Sequence, residues 1–283
     1  MKKLIIIILS FFILLACQNP NKIREDIIIK NRIRTDNDSV TQAYLTKEKK
    51  DIVRGLYPSS RDLPFTALIT GELHQNEASK EMESWKWFGI FKSKDRYYIA
   101  STVVVIRPNY DPIVDESEDD ASTWTGWQVS TINIDEALVL INRNSELYSG
   151  DIKYDPMLQG MVIRTGGVID FDFNDITYRL YAEGEEINAE WNPEEKVVHN
   201  YRLYIQAKVN GKNRTQLLAA TPFLDDAEFE IMFVGDIDND GAVDMIINTH
   251  DHYNIYRPTV YLSSFAGESE LLRPVAIHES IAY

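Results

Sequence analysis

From residue 65 onward, apolar and polar positions alternate in short runs, the period of extended strands whose side chains point to opposite faces. The runs lie at 65–70, 85–91, 97–106, 126–130, 136–141, 160–164, 177–181, 201–208, 215–219, 229–234, 243–247 and 259–263. They are rich in β-branched and aromatic residues, and polar turn residues separate them. Ser93-Lys94-Asp95-Arg96 reads as the turn of one hairpin, and Asn210-Gly211 as that of another, because both residues tolerate positive φ. In 166–175, Ile169, Phe171 and Phe173 alternate with Asp170 and Asp172, so one face is core and the other solvent. The expected fold is mainly β, an antiparallel sandwich, barrel or meander with little helix. A short helix is expected within 41–56, ending before Pro58. The β-rich domain would span 59–283, with a soft boundary near 148–159 dividing it into two halves.

One turn stands apart. Between the runs 229–234 and 243–247 lie Asp236, Asp238, Asp240 and Asp244, at relative positions 1, 3, 5 and 9, with Gly241 at position 6. Residues two apart in an extended segment project to one side, so the first three carboxylates converge. Gly241 allows a sharp reversal, the Ala242 carbonyl supplies a further oxygen, and Asp244 returns a carboxylate from the outgoing strand. Calcium takes six to eight hard oxygen ligands, which this set begins to provide. Without a cation, the mutual repulsion of such charges is on the order of several kcal/mol. The alternative is an acidic, solvated turn with no ion. An EF-hand is excluded, because position 12, where that loop needs a bidentate Glu, is Ile247, and the flanks are strands.

The pattern D-x-D-x-D-G-x-x-D between strands resembles the calcium loop of integrin-type FG-GAP and VCBS repeats. The likeness covers 229–267, one repeat unit, and the pattern does not recur in the chain. It implies a C-terminal hairpin with a structural calcium ion held by Asp236, Asp238, Asp240 and Asp244.

At the N-terminus, Lys2 and Lys3 precede an apolar stretch from Leu4 to Ala16 broken only by Ser10. This is too short to span a bilayer and reads as a secretory signal, 1–16. Leu14-Leu15-Ala16-Cys17 resembles a bacterial lipoprotein lipobox. The resemblance implies cleavage before Cys17, acylation of its sulfur, and a tether over 17–58 that holds the domain at a membrane of the cell envelope, the outer membrane or cell surface. The alternative is an ordinary signal peptide with an incidental cysteine. Cys17 is the sole cysteine, so no intramolecular disulfide is possible. The formal charge of −15 argues against a nucleic-acid partner and suits divalent cations.

Other chemistry is weaker. The acid run Asp115–Asp120 is either a second cation site or, having no organising spacing, a mobile loop. Thr249-His250-Asp251-His252 offers an H-x-H pair for zinc, although no third histidine lies near, and a polar loop explains it equally. His278-Glu279 begins an H-E-x-x-H motif that Ala282 breaks. No G-x-S-x-G nucleophile elbow occurs. Trp85, Trp87, Trp124, Trp127 and Trp191 would form a glycan platform if they lined one face, but strand aromatics usually pack inward. These observations point to an envelope lipoprotein with a binding or scaffolding role and a structural calcium ion. The alternatives are a calcium-dependent envelope hydrolase, with glycans as one substrate class, and a carbohydrate-binding surface protein.

Overall fold

Among the described residues, the apolar runs build nineteen strands, all paired antiparallel, and a single 3-10 helix at Lys80–Ser84. The computed structural model describes residues 52–142, 147, 149–189, 192 and 194–281. The signal sequence, the tether to residue 51, Cys17, the 41–51 part of the helix expected within 41–56 and Trp191 lie outside the described residues; residues 52–56 are not helical. Residues 53–283 form one unit.

Four sheets stack face to face. The first outer sheet has the order β2 (Gly71–Leu73), β6 (Gly126–Thr131), β5 (Val104–Asn109). Next to it lies a five-stranded sheet of β1 (Thr66–Leu68), β7 (Glu136–Asn142), β3 (Trp87–Ser93), β4 (Arg96–Thr102) and β8 (Gly150–Ile152). The third contains β18 (Arg273–Ile277), β17 (Pro258–Leu262), β15 (Asp244–Asn248), β14 (Glu230–Gly235) and β9 (Met161–Val162). The second outer sheet is a meander of β10 (Val168–Phe173), β11 (Ile176–Asn188), β12 (Lys196–Val209) and β13 (Lys212–Leu224). A two-stranded ribbon, β16 (Ile255–Tyr256) with β19 (Ser280–Ile281), lies beside the stack. No barrel closes.

Three cores separate these layers, and strand alternation decides which side chain enters which. In β3, Phe88 and Ile90 join the central core, while Trp87 and Phe91 join the core beneath the first outer sheet. In β15, Ile246 enters the central core, and Met245 and Ile247 face the meander. A register shift between Ile231 and Phe233 in β14 changes the parity, which puts Phe233 in the central core but Ile231 and Val234 opposite. Both inner sheets are thus apolar on both faces, and all five residues of β15 and of β17 are buried. Sequence halves and spatial halves coincide near residue 150: β1–β8 build the first two sheets and β9–β19 the rest, joined through the central core.

One expected strand is divided between two sheets. The apolar run 97–106 is not continuous but breaks at the exposed Val103, where the chain leaves β4 in one sheet and enters β5 in the next. Such a corner lets one run serve two layers. The Asn210-Gly211 turn has φ of 51° and 77°, as expected for its hairpin. The alternation in β10 also holds, with Phe171 and Phe173 buried and Asp170 exposed in an ion pair with Arg179.

Phe233→Ala should therefore lower unfolding stability by about 3–5 kcal/mol, because it opens a cavity between both inner sheets. Val103→Asp should change it by less than about 0.5 kcal/mol, the ordinary surface effect. Urea unfolding followed by tryptophan fluorescence measures both.

Candidate metal centre

The turn between β14 and β15 is fixed from both sides before any ion is considered. Ile237 inserts into the central core and Val243 into the core facing the meander. Asn239 and Gly241 take φ of 61° and 88°, the left-handed values that asparagine and glycine accept most readily. These constraints turn Asp236, Asp238 and Asp244 toward one point. One carboxylate oxygen from each lies within 4.8 Å of the other two. Calcium–oxygen bonds of about 2.4 Å put ligands on opposite sides of an ion about 4.8 Å apart, so the spacing suits such a cation. This is the only such group of histidine, cysteine or acidic side chains among the described residues.

The carboxylates are held by backbone donors. Asp236, which is 7% exposed, accepts the N–H groups of Asp240 at 3.0 Å and Gly241 at 2.9 Å. Fully buried Asp244 accepts the Ile237 N–H at 2.7 Å through one oxygen. Its other oxygen accepts the Ser263 N–H at 2.7 Å and hydroxyl at 2.9 Å. The Ser264 hydroxyl donates to Asp238. Burial pushes the Asp244 carboxyl well above the usual carboxylate range, and the Asp238 charge adds to it, against the hydrogen bonds from Ser263 and Ile237. Asp236 is raised by burial first and by the Asp240 charge second. A cation at this point would reverse both shifts.

Asp240 stands outside the group. It is exposed, and its carboxylate accepts the Ala242 N–H at 2.8 Å and faces the Ser263 hydroxyl at 3.1 and 3.2 Å. That hydroxyl has a single proton between the carboxylates of Asp240 and Asp244. Ala242 bridges the turn to β15, and the neighbouring Gly241 carbonyl accepts a hydrogen bond from Asn174 at 2.7 Å. Ser263, Ser264 and Asn174 carry no signal in the sequence, since a neutral side chain far along the chain has no spacing relation to the acidic turn.

Other candidates find structural partners. His252 is engaged by Asp225 at 3.2 Å and Asn254 at 2.6 Å, while His250 lines a cavity, so the H-x-H pair does not converge. In the acid run, Asp115 accepts N–H groups from Asp111 and Thr125, and Asp120 accepts from Ser122. Buried Asp111 bonds His74 at 2.9 Å, a pair the sequence did not reveal. Trp87 is fully buried, with its N–H on the Met82 carbonyl; Trp85, stacked on it, is exposed, and Trp124 and Trp127 are half-buried. Glu279 pairs with Arg257, a buried guanidinium that also donates to the Pro58 carbonyl and the Thr249 hydroxyl.

No protein-family model, curated protein or solved structure matches the chain.

Burial holds His278 neutral and pushes its pKa down to about 4, outweighing the attraction of Glu77 and a backbone hydrogen bond at Ala67. The unfolded chain binds this proton near pH 6.5, the folded one only near pH 4. Stability from this group is therefore full above pH 6.5 and is lost as pH falls through 4. Between pH 7 and 5 the loss should be about 2 kcal/mol. Urea unfolding of His278→Gln at the two pH values should show a smaller decline than wild type, by about that amount.

Proposed function

We propose that this protein is an envelope lipoprotein whose β domain is stabilised by a structural calcium ion and serves in binding or scaffolding. The observation that carries the reading is the convergence of Asp236, Asp238 and Asp244 at the β14–β15 turn. All-oxygen donors favour a hard cation over zinc or copper. We take its role as structural, because Asp236 and Asp244 are buried and the site ties together three strand ends: Asp236 follows β14, Asp244 opens β15, and Ser263, which donates to Asp244, follows β17. Asp240, an expected ligand, lies outside the converging group in this arrangement and supports Ser263 and Ala242.

Calcium at about 100 times its Kd should add about 2.7 kcal/mol of stability, a rise in Tm of roughly 5–10 °C for a chain of this size. Asp244→Asn should abolish that rise, whereas Asp240→Ala should retain most of it. Differential scanning calorimetry with calcium and with EDTA measures this, and equal calcium shifts in wild type and Asp244→Asn would exclude the site.

The anchor rests on the segment Leu14-Leu15-Ala16-Cys17 and the apolar run before it. Cys17→Ser should move the protein from the membrane pellet to the soluble fraction and remove acyl-chain labelling. An unchanged pellet would overturn the anchor without touching the metal reading.

A further inference from the structure

The first outer sheet ends on β5, and the 3-10 helix Lys80–Ser84 lies along the outer side of that strand. In an antiparallel ladder, the backbone groups of alternate residues point toward the neighbouring strand, and the others point away. The Ile132 N–H donates to the Val103 carbonyl at 3.2 Å, and β5 continues on β6 in the same register, Val104 opposite Thr131. Val105, Arg107 and Asn109 therefore turn their backbone groups toward β6, whereas Val104, Ile106 and Pro108 turn theirs outward. Such an outward row is a template for a further strand.

Two side chains of the helix occupy the middle of this row. Glu83 Oε1 accepts the Ile106 N–H at 2.7 Å, and Lys80 Nζ donates to the Ile106 carbonyl at 2.7 Å. The same two side chains pair with each other at 2.7 Å. The Lys80 bond first, and the Ile106 N–H second, hold the Glu83 carboxyl below the usual carboxylate range. The helix is fastened to the core as well. The Met82 side chain packs beneath the sheet, and the Met82 carbonyl accepts the N–H of buried Trp87 at 2.7 Å. An ion pair at the surface contributes little stability by itself. Here it covers both backbone groups of one edge residue.

We propose that Lys80 and Glu83 guard β5 against pairing with β5 of a second copy of this chain. With the guard displaced, two β5 strands can meet antiparallel about Ile106. Each Ile106 then exchanges both hydrogen bonds with its copy, and each Val104 N–H donates to a Pro108 carbonyl. Pro108 has no N–H to return, which limits the ladder to four bonds. On the outer face, half-buried Val105 comes opposite exposed Arg107 of the second copy, so no like charges meet. Neither the aspartate triad nor the anchor enters this contact.

Sedimentation velocity of the full-length chain in non-ionic detergent, up to about 100 µM, tests the guard. Wild type should be monomeric. Two release variants, Lys80→Ala/Glu83→Ala, which leaves the net charge unchanged, and replacement of Lys80–Ser84 by five glycines, should dimerise while keeping the wild-type circular dichroism. Adding Val105→Lys, which sets lysine against Arg107, should weaken that dimer about tenfold or more, and Val105→Glu should tighten it. Hydrogen exchange supplies a readout in the monomer: Glu83→Ala should speed exchange of the Ile106 amide about tenfold or more, whereas Glu83→Gln, which still offers an acceptor, should preserve its protection. A wild-type dimer, folded release variants that stay monomeric, association indifferent to the charge at 105, or unchanged Ile106 exchange in Glu83→Ala would each overturn the proposal.

Discussion

The structure turns on the crowding of three carboxylates beneath a hairpin, one of them sealed entirely from water. Burying a charge is costly unless donors or a countercharge meet it. Here the turn backbone supplies N–H groups to Asp236 and Asp244, and Ser263 supplies two more donors from a third strand. Even so, Asp244 keeps a raised pKa, so hydrogen bonding alone leaves the charge incompletely balanced. A divalent ion held by the three carboxylates would complete that balance. The surrounding fold explains why the cluster persists: Ile237 and Val243 are held in different cores, and the turn cannot relax outward without emptying both.

Much of the architecture was legible because strand period and turn chemistry are local properties. Asn210-Gly211 announced its hairpin, and Phe171 and Phe173 their buried face. The boundaries were less visible. The strands β11 and β12 extend well beyond 177–181 and 201–208, since their distal ends carry Glu183, Glu185, Glu186 and Asn200 and look like loop. Backbone pairing sustains them there without an apolar signal. The corner at Val103 was hidden for the opposite reason: an unbroken apolar run does not reveal that its two ends serve different sheets.

At the candidate metal centre, the acidic spacing singled out four carboxylates, Asp236, Asp238, Asp240 and Asp244; the geometry brings the first, second and fourth together and leaves Asp240 outside that group. The difference is one of depth. Asp236 and Asp244 sit at strand ends inside the stack, Asp238 lies between, and Asp240 occupies the exposed crest beside Gly241. Spacing alone gives side-chain direction but not distance from the surface. The same limit hid Ser263 and the His74–Asp111 pair, which come together only through sheet packing.

The two inner sheets have consequences for how this chain tolerates change in length. In β15 the three apolar side chains divide between two cores, Met245 and Ile247 in one and Ile246 in the other, so a single inserted residue would exchange the occupants of both at once. The outer meander, with a wet face on β10 and β11, could absorb the same slip by shifting polar residues along its solvent side. Insertions and deletions accepted over descent should thus gather in the peripheral layers, leaving the paired central ladder nearly constant in residue count.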